Sequence, residues 1–356
     1  MSDSSHPFLA LNKQYIPCQP INQSNSAASF FIFTNDKSLH SEPNQHKNYP
    51  AKFYVDDQDE DSSTQLLKVL QQYIFNTGRD VIYVCKEQTL PEHTWQSAAQ
   101  FSFKLLKLLQ MTPCRLLLVA SPSNTHASFI HGSALSLAQE SSTFQYRTLE
   151  ANKHFWQNTS SYFETCFSKN YCEWQLHDDT LHYQNWEKIN LTHPQQSITG
   201  NILITGGSGT LAQTVASYLS HECGCQVFLT GRQELDGVLL DKLKVTGAKA
   251  YLKADCTDSA SMHEVCSHIE KTHGKITGIF HLAGVLNDGL FQTKSVETYL
   301  KTLNAKVQGS LVIEKLVEHF NVDWVVLFSS LSSVIGNVGQ TDYAAANSFW
   351  VSGLNG

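Results

Sequence analysis

The stretch Ile202-Leu-Ile-Thr-Gly-Gly-Ser-Gly-Thr-Leu-Ala212 decides the fold of this 356-residue chain. A continuous apolar run, typical of a buried parallel strand, leads into two glycines, and a sequence typical of a helix follows. Gly207 permits a tight turn, Gly209 lets backbone N–H groups approach a pyrophosphate, and the small Ala212 allows close packing of helix on strand. The segment predicts a dinucleotide-binding turn at a helix N-terminus. A glycine-rich turn without a ligand is the alternative.

The next expected strand ends at Leu229-Thr-Gly-Arg232, which bears on the choice of cofactor. NAD-binding proteins usually place an acidic residue at this position for the ribose 2′-hydroxyl, whereas an arginine suits the 2′-phosphate of NADP. Arg232 therefore predicts NADPH. Two considerations compete with this prediction: Glu234 lies close by in the sequence, and an arginine here can be merely solvated.

Strand-length apolar runs alternate with helix-length amphipathic runs around this segment, which is typical of an α/β layer with a parallel sheet. From about residue 200 we expect strands at Asn201–Thr205, Gln226–Thr230, Lys249–Lys253, Gly278–Leu282 and Trp324–Ser329. We expect helices at Leu211–Leu219, Ser259–Thr272, Lys306–His319 and from about Tyr343. The strands are nearly continuous in apolar residues, as expected when helices cover both faces of a sheet.

A looser series of the same kind precedes residue 196. We expect strands at Ser29–Phe33, Phe53–Val55, Val81–Val84, Arg115–Ala120 and Phe144–Leu149, and helices at Thr64–Phe75, Trp95–Met111, Ser133–Glu140 and Thr159–Phe167. The first strand leads into Thr34-Asn-Asp-Lys37 without a glycine, so a structural role is expected for this half. The sequence predicts a flexible segment at 1–28, a degenerate Rossmann-like structural subdomain at 29–195 and an NADP-binding Rossmann subdomain at 196–356.

The composition disfavours several classes of function. Lys and Arg number 25 against 32 Asp and Glu, so no basic surplus is present to neutralise phosphates, and nucleic-acid binding is not expected. No apolar run approaches the ~18 residues of a membrane helix. The N-terminus lacks the features of a signal peptide, so we expect a cytoplasmic protein without a membrane partner. The nine cysteines lack the paired spacing of a metal site, and no metal is expected.

Candidate catalytic residues cluster near the end of the chain. Leu327-Phe-Ser-Ser-Leu-Ser-Ser333 places serines at the carboxyl end of a buried strand, where open α/β sheets bind ligands. Tyr343 and Asn347 are four residues apart and share one helix face. A tyrosine donates a proton to a carbonyl effectively if its pKa of ~10 is lowered, which a cationic Lys306 and a nicotinamide cofactor could do. Taken singly, each residue type is more common in a structural role.

Together these segments resemble the short-chain dehydrogenase/reductase superfamily and, within it, the ketoreductase domains of modular polyketide synthases. The matching segments are Thr205-Gly-Gly-Ser-Gly-Thr-Leu211, Ala254-Asp-Cys-Thr-Asp258, His281-Leu-Ala-Gly-Val285, Lys306-Val-Gln-Gly309, Leu327-Phe-Ser-Ser330 and Gln340-Thr-Asp-Tyr-Ala-Ala-Ala-Asn347. Ordinary members carry a lysine four residues after the tyrosine. This chain has Asn347 there and Lys306 upstream, which is the exchanged arrangement of the polyketide ketoreductases. Leu105–Ala120, His131–Glu140 and Trp186 look like the structural subdomain of those synthases, a truncated fold without a cofactor.

The resemblance implies NADPH-dependent reduction of a β-ketoacyl thioester on the phosphopantetheine of an acyl carrier protein, in the company of other polyketide synthase domains or chains. It implies that Tyr343 protonates the forming alkoxide and that Ser330 holds the ketone oxygen. Lys306 would lower the pKa of Tyr343 and bind the nicotinamide ribose, and Asn347 would complete a proton relay. The implied cofactor-binding residues are Gly207, Ser208, Gly209, Thr210, Leu211, Arg232, Asp255 at the adenine, Cys256, and Ala283 and Gly284 along the channel.

A further resemblance concerns the configuration of the product. Leu286-Asn-Asp288 looks like the Leu-Asp-Asp signature of ketoreductases that yield the D-configured β-alcohol, with Asp288 steering the substrate. Ile335 stands where the opposite class has a tryptophan. Asn287 departs from the signature, and a solvated loop aspartate is the alternative interpretation of Asp288.

The chain stops at Ser352-Gly-Leu-Asn-Gly356, whereas ketoreductases of this family continue with a loop at the nicotinamide, a lid helix and a final strand. We therefore expect a C-terminus that is incomplete and a pocket that lacks its lid. Three functions stay open: a ketoreductase domain, a truncated non-catalytic structural or interaction remnant of a polyketide synthase, and a free-standing short-chain alcohol dehydrogenase. Retention of all four candidate catalytic residues favours the first over the second. Asn347 and the long first subdomain disfavour the third.

Overall fold

The computed structural model describes residues 10–18, 30–35, 53–54, 56, 59–76, 80–85, 94–121, 123–151, 159–189 and 198–353. Within these residues the strands form two sheets flanked by helices, and the predicted α/β class is confirmed. The predicted strand ends at Ser29 and Val55, the predicted boundary at 195–196 and residues 354–356 lie outside this part of the chain. Among the described helices, none combines the length and the apolar character that crossing a bilayer requires.

The first sheet is built from the N-terminal half. Its elements are β1 (Ala10–Cys18), β2 (Phe31–Thr34), β3 (Phe53–Tyr54), α1 (Glu60–Asn76), β4 (Asp80–Val84), α2 (Trp95–Leu109), β5 (Cys114–Val119), α3 (Thr125–Glu140), β6 (Phe144–Glu150), α4 (Thr159–Ser168), β7 (Glu173–His177) and β8 (Thr180–Ile189). The strand order is β1-β8-β7-β6-β5-β4-β2-β3, and β2 to β7 run parallel. The continuous apolar sequences of β4 and β5 fit strands with helices on both faces.

One edge of this sheet differs from the sequence prediction. A flexible segment is predicted at 1–28, but β1 pairs antiparallel with β8 along its whole length, so the first sheet begins before residue 29. β8 in turn pairs antiparallel with β7 across a turn at Asp178, which has a φ of 50°. An edge strand is held mainly by backbone hydrogen bonds, and a proline such as Pro17 is tolerated in it. The sequence of β1 therefore need not alternate between apolar and polar residues, and it gives little sign of a strand.

The second sheet is entirely parallel among the described strands and has the order β11-β10-β9-β12-β13. Its elements are β9 (Asn201–Thr205), α5 (Thr210–His221), β10 (Gln226–Gly231), α6 (Gly237–Lys244), β11 (Ala250–Lys253), α7 (Ser259–His273), β12 (Ile276–His281), α8 (Val296–Phe320), β13 (Trp324–Leu327), α9 (Ser332–Ile335) and α10 (Thr341–Gly353). Because the chain reverses its direction across the sheet between β11 and β12, a crevice opens at the carboxyl end of β9.

α8 begins ten residues earlier than the sequence predicts, at Val296 rather than at Lys306. Ser295 caps it by accepting a hydrogen bond from the backbone N–H of Thr298 at 3.2 Å. Its first turns bury Tyr299 and Leu303 in a core shared with residues of the first half. That partner surface lies far away in sequence, so local periodicity does not reveal where the helix starts.

The two halves meet where α3 packs against α10. A Cβ atom placed on Gly132 of α3 would lie 2.5 Å from the carbonyl oxygen of Ala344 in α10, so only glycine permits this separation. The rings of Phe129 and Phe349 stack beside it with centroids 5.5 Å apart. Ser133 donates a hydrogen bond to the carbonyl of Thr341 at 3.2 Å, which fixes the start of α10. The first half thereby positions the helix that carries Tyr343.

We expect Gly132→Ala to destabilise the protein by about 1–3 kcal/mol, because the added methyl group forces α3 and α10 apart. Urea unfolding followed by circular dichroism measures this free energy. Gly237→Ala is the matched control, since a Cβ atom there meets nothing within 4 Å. Equal stability of the two variants would contradict the close packing described here.

Candidate active site

The turn after β9 is shaped by Gly206, a residue that the sequence analysis did not select. Its φ is +72°, and a Cβ atom on it would lie 2.9 Å from the backbone nitrogen of Ala283. Gly207, which was selected, packs against the Leu229 side chain instead, and its N–H donates to the Thr230 carbonyl at 2.8 Å. Gly206 does have a sequence signal: it directly follows Thr205, the last residue of β9, where the chain must turn.

α5 starts directly after this turn with Gly209 as its N-cap residue, which has no side chain to bind the first N–H groups. Those backbone donors and the positive end of the helix dipole are therefore available to an anion. The side chains of Thr210 and Leu211 do not line the adjoining cavity, and Leu211 is 56% exposed. Thr210 and Leu211 are the first two residues of α5, so what they can offer an anion is their backbone N–H groups.

A cavity of about 560 Å³ lies at the carboxyl ends of β9, β10 and β12. Seven of the predicted cofactor residues line it: Ser208, Gly209, Arg232, Asp255, Cys256, Ala283 and Gly284. Gly207, Thr210 and Leu211 do not. The cavity also includes Trp95 and Gln96 from the first half, which no local sequence signal connects to the glycine turn.

Arg232 and Glu234 differ both in whether they line the cavity and in whether they have an ion-pair partner. The Glu234 carboxylate pairs with Lys253 and is not among the residues that line the cavity. Arg232 lines it and forms no hydrogen bond or ion pair with any residue in the described ranges. Asp255 accepts hydrogen bonds from the backbone N–H and the hydroxyl of Thr257, at 2.9 and 2.8 Å, which orient its carboxylate.

The cavity residues fit a dinucleotide. The uncapped first turn of α5 provides donors for a pyrophosphate, and Gly209 leaves the approach to them open. Burial raises the pKa of the Cys256 thiol to about 12, so this side chain is a neutral part of the wall. A bound dinucleotide would thus meet donors at its centre and a guanidinium at its adenosine end.

Lys306 is buried in α8 beside Gly284, which lines the cavity, although Lys306 is not itself a lining residue. Its Nζ donates to the carbonyl of Phe328 at 2.8 Å, and it lies 3.8 Å from the centroid of the Trp350 ring and 5.7 Å from that of Tyr343. Gly284 approaches its side chain so closely that a Cβ atom there would lie 3.2 Å from Cε. Burial lowers the pKa of Lys306 to about 7, so its charge is gained and lost near neutral pH.

Tyr343 and Asn347 share one face of α10, as their spacing predicts. The Asn347 side-chain N–H donates to the Tyr343 carbonyl at 2.7 Å. Its Oδ1 is buried and has no hydrogen-bond partner among the described residues. This buried acceptor is therefore available to a proton relay.

Ser330 follows β13 on the short connection to α9. Its Oγ accepts hydrogen bonds from the backbone N–H and the hydroxyl of Ser332, at 3.2 and 3.0 Å. Its own proton is not donated to any residue in the described ranges, so it can be donated to a substrate oxygen. Lys306 thus binds the carbonyl two residues before Ser330 and lies near the Tyr343 ring. Ser330, Lys306, Tyr343 and Asn347 are not themselves among the residues that line the cavity.

Asp288, the predicted steering residue, is exposed and lies on the loop between β12 and α8. Its carboxylate accepts a hydrogen bond from the Gln340 amide at 3.2 Å. Glu140 at the end of α3 binds both loops here, accepting from the N–H groups of Phe291 at 2.7 Å and Gly339 at 3.0 Å. Glu140 has no local sequence signal for this supporting role, because its partners lie 151 and 199 residues away.

Comparison with known families is consistent with this geometry. Residues 200–352 match the family model described as the KR domain. Residues 200–352 form a KR domain. The resemblance to the ketoreductase domains of modular polyketide synthases is thus confirmed for this part of the chain, and KR domains are oxidoreductases.

Relatives of the KR domain occur in much longer proteins. The chain is 36% identical over 155 residues to polyketide synthase PksN of Bacillus subtilis (strain 168), a match that covers 42% of this chain and 3% of PksN. It is 32% identical over 183 residues to the hybrid PKS-NRPS synthetase buaA of Petromyces alliaceus, with coverages of 48% and 5%. The chain therefore spans a small fraction of these relatives.

Solved structures extend the likeness in fold beyond the KR domain to the first half. An N-terminal ketoreductase from the macrolactin assembly line superimposes with a TM-score of 0.74 at 19% identity, covering 96% of this chain and 78% of that one. A ketoreductase domain from the bacillaene assembly line gives a TM-score of 0.67 at 23% identity, with coverages of 96% and 78%. The two-sheet architecture is therefore that of solved ketoreductases.

For this KR domain we expect Lys306→Met to raise the melting temperature by about 2–5 °C at pH 6. Below pH 7 the wild-type fold must bury a charged Lys306, which destabilises it. Between about pH 7 and 10.5 the folded lysine is neutral while the unfolded one is still protonated, so wild-type stability rises with pH and the advantage of methionine shrinks. Differential scanning fluorimetry from pH 6 to 9 measures the difference.

Lys271→Met, at an exposed site in the last turn of α7, is the control and is expected to show no such pH-dependent gain. A Lys306→Met protein that is less stable than the wild type by the same amount at every pH would contradict the effect of burial on Lys306.

Proposed function

We propose that this KR domain reduces a β-ketoacyl thioester, carried on the phosphopantetheine of an acyl carrier protein, to the β-hydroxyacyl thioester with NADPH. The observation that carries the proposal is the position of Lys306. Its buried amino group lies 5.7 Å from the centroid of the Tyr343 ring and binds the backbone two residues before Ser330, and its side chain packs beside Gly284, which lines the cavity suited to a dinucleotide. A cation near a tyrosine favours the transfer of the tyrosine proton to a carbonyl.

Bound NADPH supplies the hydride. The residues that hold it are the backbone donors at the start of α5 for the pyrophosphate and Asp255 for the adenine. Arg232 supports NADPH over NADH, because it lines the cavity without a carboxylate partner in the described ranges while Glu234 is paired with Lys253. Ala283 and Gly284 form the wall towards Lys306.

Ser330 and Tyr343 act on the ketone oxygen. The Ser330 hydroxyl accepts two hydrogen bonds and so directs its own proton outward, which stabilises the developing negative charge. Tyr343 donates the proton to the alkoxide. Lys306 in its protonated form favours the tyrosinate that results, and the Oδ1 of Asn347 can accept a hydrogen bond from a group in the relay that returns a proton to Tyr343.

The tethered substrate and the partners are supported by the relatives. PksN is a polyketide synthase, and solved ketoreductases from assembly lines share the fold of the chain. Polyketide synthases carry their intermediates as thioesters, so a carrier protein and other synthase domains or chains are the proposed partners. Asp288 is exposed, so its loop is accessible to such a chain.

We expect Tyr343→Phe to slow single-turnover oxidation of NADPH by a β-ketoacyl thioester about 10²- to 10⁴-fold, which is the contribution of a positioned general acid. NADPH binding should be retained, since the lost hydroxyl does not line the dinucleotide cavity. Nicotinamide absorbance follows the reaction, and fluorescence titration follows binding.

Tyr218→Phe removes an exposed hydroxyl from α5 and serves as the matched control. An unchanged rate in Tyr343→Phe would refute the role of Tyr343. A wild-type protein that binds NADPH but never oxidises it with a thioester or a free β-ketone would contradict the reductase itself.

A further inference from the structure

Asp342, the residue before Tyr343, belongs to a buried ion pair that the proposed chemistry does not use. Its Oδ1 lies 2.7 Å from the Nζ of Lys294, and the two side chains are 1% and 2% exposed. The same Oδ1 accepts a hydrogen bond from the backbone N–H of Tyr343 at 2.9 Å. A buried pair of charges is costly unless its remaining polar atoms are also bound, so its other contacts are informative.

Those other contacts lead to Asn287, in the loop that carries Asp288. Lys294 Nζ donates to the Asn287 carbonyl at 2.7 Å. The Asn287 side-chain N–H donates to the hydroxyl of Thr302 at 2.9 Å, and that hydroxyl donates to Oδ2 of Asp342 at 2.8 Å. The four residues Asn287, Lys294, Thr302 and Asp342 thus form a closed ring of hydrogen bonds, which we call the Asp342 ring.

The direction of these bonds explains why residue 287 is an asparagine. Thr302 has a single hydroxyl proton, and the nearby carboxylate of Asp342 is a closer acceptor than the Thr298 carbonyl at 3.2 Å. The Thr302 oxygen must then receive its hydrogen bond from a donor, which the amide of Asn287 supplies. An aspartate at 287 would place an acceptor against it and a second negative charge close to Asp342. The departure from Leu-Asp-Asp therefore matches the aspartate at 342.

The Asp342 ring also lies between two segments of the proposed site. Gly289 N–H donates to the Gly339 carbonyl at 3.0 Å, and the Gln340 amide binds the Asp288 carboxylate at 3.2 Å. These two hydrogen bonds attach the loop that carries Asp288 to residues 339 and 340, which lead into α10.

We propose that the Asp342 ring is a positioning device that fixes the Asp288 loop relative to Tyr343 and thereby sets which face of the ketone is reduced. This inference rests on the proposed ketoreductase function. Its four members do not line the dinucleotide cavity, and they act through the loop and through the start of α10.

The test is a cycle of three variants: Asn287→Asp, Asp342→Asn and the double variant that carries both. The first crowds two carboxylates around Thr302, and the second leaves Lys294 without its counter-charge. The double variant has one carboxylate again, and the hydrogen bonds can run in the opposite direction: the amide of residue 342 donates to Thr302, which donates to residue 287.

Three quantities are measured for every protein. The ratio of the two β-hydroxy products and kcat report on positioning, and hydrogen–deuterium exchange of residues 286–294 reports on the loop without requiring turnover. We expect each single variant to lower kcat about 10- to 100-fold, to reduce the excess of one product and to increase exchange in the loop. The double variant should recover on all three counts, and the dissociation constant of NADPH should not change.

Asp323→Asn, which breaks an exposed ion pair with Lys275, is the control for loss of a carboxylate. The proposal would be overturned if each single variant showed the same product ratio and the same loop exchange as Asp323→Asn. A double variant in which the two effects simply add would also overturn it. A wild-type protein without reductase activity would refute the proposed function instead, and the exchange cycle would then decide whether the ring holds the loop.

Discussion

The close approach of α3 and α10 at Gly132 is the constraint on which the rest of the site depends. A backbone carbonyl occupies the space that any other residue at 132 would need, so the distance between the two helices is fixed by sterics rather than by a flexible contact. α10 carries Tyr343 and Asn347, while Glu140 at the end of α3 binds the N–H groups of the two neighbouring loops. The sequence directly after β2 contains no glycine, yet the first half fixes the position of the helix that carries Tyr343 and Asn347.

Two buried lysines, Lys294 in the loop before α8 and Lys306 within α8, illustrate different uses of charge. Lys294 has a carboxylate partner and a closed set of hydrogen bonds, which makes it a rigid structural group. Lys306 has a carbonyl and an aromatic ring but no carboxylate partner in the described ranges, and burial lowers its pKa to about 7. An ammonium group that is poorly compensated is costly to stability, but it responds strongly to charge that develops nearby.

The sequence predicts most of the second sheet because its strands are buried on both faces and its turn chemistry is local. β9 and its following turn, and the shared face of Tyr343 and Asn347, depend only on residues within a few positions of one another. Features set by distant partners escaped prediction: the edge strand β1 is defined by backbone pairing with β8, and the start of α8 by packing on the first half. Glu140 was missed for the same reason, since its partners are loops far along the chain. Gly206 differs, because its position directly after Thr205, the last residue of β9, was a local signal.

The central claim is that the cavity at the end of β9 and the group around Lys306 form one reductive site. A crystal structure of the protein with NADP⁺ bound tests it most directly. The account predicts the pyrophosphate on the first turn of α5, the 2′-phosphate against Arg232, and the nicotinamide end beside Lys306 and Tyr343. A cofactor bound outside this cavity, or with its nicotinamide directed away from Tyr343, would contradict the claim.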